Sequence, residues 1–199
     1  MADQNKGTSD LWRRLRFVFL AIVVYRMGTH IPIPGIDPVR LAALFDQNQG
    51  TILEMFNLFS GGALERMSIF ALNVVPYISA AIIMQLFSNS IPYLKELKKD
   101  GQAGRNQITQ FTRYGTVVLA FVQASALSVT LGASGLAYEP GASFFISAVF
   151  SVVAGTIFLM WLGEQITERG IGNGISIIIA TSILTGIPGA IGQALEQAR

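Results

Sequence analysis

Residues Trp161–Ile179 read WLGEQITERGIGNGISIII, and this stretch decides the fold. An apolar run ends at Trp161–Leu162, a short charged and glycine-rich segment follows, and a second apolar run begins at Ile175. Glycine adopts positive φ without steric cost, so a segment of this kind reverses the chain between two helices. The pattern predicts two membrane-spanning helices joined by a tight turn.

The residues inside this turn have a structural interpretation. Gly170, Gly172 and Gly174 form GIGNG, which has no preceding strand and therefore does not fit a dinucleotide fingerprint. The charged residues of the segment are expected to cap helix ends and face solvent. They are Glu164, Glu168 and Arg169.

Composition places the chain in a membrane. Of its 199 residues 51% are hydrophobic and 13% are charged, whereas a soluble domain carries about 25% charged residues. The net charge of +2 leaves no nucleic-acid footprint, and a single His without Cys offers no metal site. The sequence contains no GK[ST] tripeptide for a P-loop. We therefore expect neither enzymatic activity nor a cofactor, and energy for transport would come from a partner.

Hydropathy divides the chain into an N-terminal segment, residues 1–16, and a membrane part, residues 17–199. About 17–25 apolar residues are needed to cross the hydrocarbon core as a helix. The sequence predicts an all-α membrane protein with five spans, at about residues 17–33, 68–88, 114–131, 144–162 and 175–191.

The distribution of Lys and Arg predicts the orientation. Ten of them fall in the N-terminal segment and in the loops after spans 2 and 4, whereas only Arg40, Arg66 and Arg199 fall on the other side. The positive-inside rule places the N-terminus in the cytoplasm. Since five is odd, a second unit of five spans after Arg199 would be inverted, which is a recurrent transport architecture.

The segment Ile52–Met67 is amphipathic, too polar to span, and interrupted by Gly61–Gly62. One interpretation is a surface helix at the membrane interface. The other is a short external helix that folds back into a cavity at a glycine hinge.

Arg26 and His30 lie four residues apart and share a helix face. A functional interpretation is an ion or proton relay. We favour a structural one, in which Arg26 binds backbone carbonyls around IPIPG, Ile31–Gly35, because no span contains an acidic partner.

Three other features of the spans carry little information by themselves. Val74 and Ile78 are four residues apart, as are Ile175 and Ile179. Periodicity alone indicates packing or lipid contact for such pairs. Ser79 and Gln123 are polar residues within spans 2 and 3, for which an ordinary interhelical hydrogen bond is the simplest interpretation.

Two runs, Ser68–Phe87 (SIFALNVVPYISAAIIMQLF) and Trp161–Ile179, resemble the diagnostic segments of the SecY family. Members of that family are the central subunit of the protein-conducting translocon. Thr29–Asp37 and Met55–Leu72 are similar to it as well, and the resemblance covers nearly all of Trp12–Arg199. Asn73 is a departure, since the family often has Gly there.

The resemblance implies a fold of ten spans in two inverted halves, of which this chain is the first. It implies an apolar pore constriction at Val74, Ile78, Ile175 and Ile179, and two members of a polar cluster at a lateral gate, Ser79 and Gln123. It also implies a plug at about residues 56–66: Phe56, Asn57, Leu58, Phe59, Ser60, Gly61, Gly62, Ala63, Leu64, Glu65 and Arg66.

The implied function is passage of unfolded secretory proteins across the bacterial cytoplasmic (inner) membrane, with signal-sequence binding and release of membrane segments into lipid. The implied partners are SecE, SecG, the SecA motor ATPase, the ribosome, signal peptides and membrane lipids, with no nucleic acid bound directly. Composition and topology alone also permit a small-solute secondary transporter or a non-transporting membrane scaffold.

Overall fold

The computed structural model describes residues 4–47, 57, 60–139 and 141–197, with side chains for residues 9–45, 57, 60–139 and 141–187. Within these ranges the extended backbone is limited to two isolated bridges, Pro32–Ser68 and Ile36–Ala137. The rest is helix and turn, which confirms the prediction of an all-α chain for the described residues.

Seven helices are present in the described part of the chain. They are α1 Gln4–Gly28, α2 Pro38–Gln47, α3 Val75–Ser90, α4 Pro92–Lys99, α5 Gly101–Ala133, α6 Ala142–Arg169 and α7 Gly174–Gln197. Helices α3 and α5, α5 and α6, and α6 and α7 pack side by side, and α1 packs against α6 and α7.

Two of the described helices, α5 and α6, are long and apolar enough to cross a membrane. A shorter apolar stretch, Gly174–Ile187, begins α7. The predicted spans 114–131, 144–162 and 175–191 lie within these three helices. The full set of five spans stays a prediction.

The first predicted span is helical only as far as Gly28. The chain beyond it contains Pro32 and Pro34, which fix φ and carry no N–H. It continues as extended backbone that pairs with the chain before α3. The N–H of Ile33 donates to the carbonyl of Met67 at 2.8 Å, and that of Ile69 donates to the carbonyl of Ile31 at 3.0 Å.

The second predicted span begins its helix later than expected. Residues 69–74 are turns, and α3 starts at Val75 rather than at Ser68. Asn73 has φ +50°, which interrupts helical geometry, and Pro76 follows in the first turn of α3. Sixteen residues make a helix of about 24 Å, shorter than the hydrocarbon core of about 30 Å. A continuous helix over residues 68–88 was therefore a wrong expectation.

The basic loop predicted after span 2 is also helical. Helix α4 buries Leu94 and Leu97. Lys98 and Lys99 lie in its last turn, where the helix dipole stabilises positive charge. The first turns of α5 abut α4, since a Cβ at Gly104 would collide with the carbonyl of Leu97. The loop is thus a short helical layer on the ends of α3 and α5.

Helix α6 approaches the turns before α3 at Gly155, where an added Cβ would collide with the carbonyl oxygen of Ile69. We predict that Gly155→Ala lowers the free energy of unfolding by about 1–3 kcal/mol, because the packed backbone has to move. Gly132→Ala in α5 is the matched control, since no heavy atom lies within 4 Å of its added Cβ. Denaturant unfolding in detergent measures both variants. Equal stability for the two would contradict the close approach.

Candidate functional site

The turn between α6 and α7 is built as the glycine pattern predicts. Gly172 has φ +72°. Asn173 caps α7, as its Oδ1 accepts hydrogen bonds from the N–H groups of Ile175 (3.0 Å) and Ser176 (3.2 Å). Arg14 of α1 donates to the carbonyl of Gly170 at 3.2 Å. The reversal therefore fixes both helices to α1.

Close backbone contact between α6 and α7 sets the position of Ile175. A Cβ at Gly174 would collide with the carbonyl of Gly163, and a Cβ at Gly163 would collide with the Ile175 side chain. Thr167 Oγ1 also accepts a hydrogen bond from the N–H of Gly174 at 2.8 Å. Any larger residue at either glycine would push α7, and with it Ile175, away from α6.

The four residues of the implied constriction come together in one apolar cluster, which we call the central cluster. Val74 is 2% exposed within this cluster. Ile78, Ile175 and Ile179 are half-buried and pack against the cluster. The buried members of the cluster are Val18, Ala21, Tyr25, Ala63, Phe70, Val74, Leu159, Leu162, Ile166 and Ile178. Ala63, from the predicted plug, thus belongs to the same cluster as the four constriction residues.

A groove of about 740 Å³ leads to this cluster. Ile78, Ile175 and Ile179 line it together with polar residues of α3, α5, α6 and α7. Its polar lining includes Gln85, Gln102, Asn106, Thr109, Arg113, Glu164, Thr167, Glu168, Asn173 and Ser176. The groove therefore has walls of mixed polar and apolar character, the latter including Tyr77, Ala81 and Ile82, and branched apolar side chains border it where it meets the central cluster.

One wall of the groove is held by an ion pair between α5 and α6. Arg113 Nε donates to Glu164 Oε1 at 2.7 Å, and the Glu164 side chain is 19% exposed. The expectation that Glu164 caps a helix end in solvent was wrong, because α6 continues to Arg169 and carries Glu164 inward. Glu168 and Arg169 are exposed, as expected.

The predicted plug is described in part. Phe56, Leu58 and Phe59 lie outside the described residues. Asn57 and Ser60 are helical, and the chain then continues as turns because Gly61 and Gly62 take φ +66° and +81°. A plug helix running through residue 66 is therefore not what the described part shows.

Hydrogen bonds within the plug hold these turns in shape. The Asn57 amide donates to Glu65 Oε2 at 3.0 Å and its Oδ1 accepts from the Glu65 N–H at 3.0 Å. Ser60 Oγ accepts from the N–H of Leu64 at 3.1 Å. These bonds cross Gly61–Gly62, so motion about the two glycines would have to break them.

Arg26 has a structural role, with partners other than those predicted. Its Nη1 donates to the carbonyl of Gly61 at 3.1 Å and to Thr185 Oγ1 at 3.2 Å, not to carbonyls around IPIPG. His30 Nδ1 lies 2.8 Å from the carbonyl of Arg26, and its Nε2 lies 2.9 Å from Arg66 Nη1. Both residues of the suspected relay thus serve as contacts to the plug segment.

Ser79 and Gln123 are half-buried on the neighbouring helices α3 and α5. No hydrogen bond joins their side chains among those of the described residues. Helices α3 and α5 are close near this level, where a Cβ at Gly115 would lie 3.6 Å from the Ala80 Cβ. The two helices form one edge of the described structure.

Sequence reasoning missed a buried polar group formed by Tyr25, Asn73 and Ser182. Tyr25 Oη lies 2.5 Å from Ser182 Oγ, and the Asn73 amide donates to that same oxygen at 3.2 Å. The three residues come from parts of the sequence far apart, and the available signal was the presence of polar residues in apolar surroundings.

Known proteins resemble this chain in sequence and in fold. The SecY family model matches residues 68–199, which include α3 to α7. The chain belongs to the SecY family. The SecY translocase subunit of Pseudomonas aeruginosa is 64% identical over the whole chain, and that of Escherichia coli K12 is 57% identical over 97% of it. The chain spans 45% and 44% of the length of these SecY relatives.

Solved structures show the same fold as this chain. Sec61 in the canine ribosome-channel complex from the endoplasmic reticulum has a TM-score of 0.63 at 20% identity, covering 89% of this chain and 37% of that one. A second structure, described as that of a protein conducting channel, gives the same TM-score, identity and coverage.

The ion pair between Arg113 and Glu164 offers a test of how α5 packs against α6. We predict that Arg113→Gln lowers the free energy of unfolding by about 1–2 kcal/mol, between the values typical of exposed and buried pairs. The remaining carboxylate of Glu164 is then left without its cation. Unfolding in detergent, compared with Arg105→Gln at an exposed position of α5, measures the loss. The double variant with Glu164→Gln should recover part of it, and no recovery would show that the pair does not hold α5 to α6.

Proposed function

We propose that this chain forms the N-terminal half of a protein-conducting channel that passes unfolded secretory proteins across the bacterial inner membrane. In this proposal signal sequences bind the channel, and membrane segments leave it sideways into lipid. Membership of the SecY family and the fold shared with solved channels support it.

The observation that carries the proposal is the meeting of the polar groove with the central cluster. Val74 and Ile78 from the start of α3 and Ile175 and Ile179 from α7 converge there. Branched apolar side chains at a narrow point disfavour a continuous water column. They therefore limit ion flow both when the pore is empty and when a peptide passes through it. The groove above them supplies polar walls for an extended chain.

The plug closes the opposite side of this constriction in our proposal. Its Ala63 is fully buried in the central cluster. Gly61 and Gly62 are its hinges, since both already occupy the left-handed region that only glycine adopts without strain. A secretory chain entering the pore would displace the plug about these two residues.

The lateral gate in this proposal lies along α3 and α5, with Ser79 and Gln123 as two of its polar residues. Their half-buried position at one edge of the helix pack supports the assignment. A signal sequence would supply the differential free energy for opening by burying its apolar surface at this edge.

In this proposal the chain has five spans, and the N-terminus and the basic helices α4 and early α5 lie in the cytoplasm, as the positive-inside rule favours. There they would meet the SecA motor or the ribosome, while SecE and SecG would complete the complex within the membrane lipids. The chain would act without cofactor or catalysis, its partners supplying the energy. A small-solute transporter is not favoured, because the described residues of the central cluster carry no charge.

The constriction can be tested by ion leak. We predict that Ile78→Ser and Ile179→Ser, in the complete channel that contains this chain, raise resting conductance on the order of tenfold, since a hydroxyl in place of a branched apolar side chain favours water at the constriction. Bilayer recordings measure the effect. Ile83→Ser is the control, because Ile83 is 40% exposed on α3 and does not line the groove. Unchanged conductance at Ile78 and Ile179 would refute the constriction.

The transport path can be tested by crosslinking. The chain contains no Cys, so a single introduced thiol is unique within it. We predict that a stalled secretory chain crosslinks to Ile78→Cys and Ile179→Cys variants and not to Ile83→Cys, because only the first two lie at the groove. The gel shift of the crosslinked product is the measurement. Crosslinks at Ile83 alone would place the path outside the constriction.

A further inference from the structure

Ser182 of α7 is the centre of a buried hydrogen-bonded group. Its Oγ lies 2.9 Å from the carbonyl of Ile178 and 2.5 Å from Tyr25 Oη, while the Asn73 amide donates to it at 3.2 Å. Ser182 and Tyr25 have one hydroxyl proton each. When Ser182 donates to Tyr25 Oη, the Tyr25 proton is left for the carbonyl of Ser60. Three separate parts of the chain, α1, the turn before α3 and α7, therefore meet at one oxygen.

The same group reaches the plug. Tyr25 Oη lies 3.4 Å from the carbonyl of Ser60, and Arg26 donates to the carbonyl of Gly61 and to Thr185 Oγ1. The plug backbone also abuts α7 directly, because a Cβ at Gly61 would lie 3.1 Å from the Cα of Ser182. The plug is thus bound to α7 by packing and to α1 by two side chains.

Burial makes these contacts sensitive to movement. Ser182 is 0% exposed, Tyr25 1% and Asn73 5%. A buried polar group that loses its partner costs more than the bond contributes when formed. Withdrawal of the plug would take the Ser60 carbonyl from Tyr25 and the Gly61 carbonyl from Arg26. It would therefore have to coincide with water entry or with a rearrangement of these two side chains.

We propose that Tyr25, Asn73 and Ser182, with Arg26 as the arm on Gly61, form a polar latch that holds the plug against α7 and sets how readily the channel opens. The inference rests on the proposed channel function and adds to it a set of positioning residues outside the constriction, the plug and the gate cluster. The latch does not touch the transported chain. It acts on the population of plug-displaced channels.

Plug displacement can be measured with an Ala63→Cys reporter. Ala63 is 0% exposed in the central cluster, so a water-soluble maleimide reaches a thiol there only after the plug has moved. When closing is faster than labelling, the labelling rate follows the population of the open state. The measurement is made on the complete channel, in the resting state and in membrane vesicles.

The test variants remove one polar group each. Tyr25→Phe and Ser182→Ala should each raise the labelling rate about two- to tenfold, the range expected for one hydrogen bond. Both variants remove the contact between Tyr25 and Ser182. The labelling rate of the double variant should therefore rise by a factor close to the larger of the two single factors, and well below their product. Thr181→Val is the matched control, since its hydroxyl bonds only the carbonyl of Ile177 in its own helix.

A second reporter separates a latch from general loosening. Ala148→Cys is equally buried, but it lies between α5 and α6 in the cluster that holds Leu131 and Phe144. Faster labelling at Ala63 with unchanged labelling at Ala148 supports the latch. Equal acceleration at both reporters, no acceleration at either, or multiplicative effects in the double variant overturn it.

Conductance keeps the proposal testable if the reporter channel does not fold. Without any introduced Cys, Ser182→Ala should raise resting ion conductance while Thr181→Val should not, and equal conductance in the two overturns the latch. Failure of the latch is distinct from failure of the channel assignment. A stalled secretory chain that still crosslinks at Ile78→Cys leaves the channel intact, whereas loss of those crosslinks removes the channel itself.

Discussion

Inside a membrane every backbone polar group needs a partner within the protein, because an unsatisfied group in hydrocarbon costs several kcal/mol. A helix satisfies this requirement by itself, but the chain from Ser60 to Val74 leaves the helix at its glycines. Local turn bonds pair most of its backbone, such as that from the N–H of Ser68 to the carbonyl of Ala63. The extended segment after α1 adds two more, through the carbonyls of Met67 and Ile31. The non-helical path therefore depends on its own turns and on the continuation of α1 that lies alongside.

This broken path determines where the apolar residues of α3 lie. Since the helix starts only at Val75, Val74 is its N-cap residue and Ile78 lies in its first turn, where the preceding turns end. Helix α7 starts at Gly174, drawn close to α6 by the absence of side chains at Gly163 and Gly174. Two helix beginnings therefore meet at the central cluster, and the polar groove occupies the space beside them.

The sequence was sufficient for features that depend on local pattern. The long apolar runs predicted α5 and α6, and the glycines predicted the turn before Ile175. It was insufficient where a partner far along the chain decides the outcome. Glu164 looked like a cap because its partner, Arg113, lies on another helix. The late start of α3 depends on pairing with the segment after α1, and hydropathy does not distinguish a buried turn from a buried helix.

Asn73 shows how one side chain affects the non-helical segment before α3. A residue at φ +50° carries a cost of about 1–2 kcal/mol unless it is glycine, although Asn tolerates this region better than most residues. Glycine would avoid that cost but could not reach Ser182. Asn73 therefore has some backbone strain, but its side-chain amide forms a hydrogen bond to Ser182 of α7. Met67, at φ +41° and 5% exposed, is strained without any such side-chain bond, so its conformation is maintained by the surrounding packing.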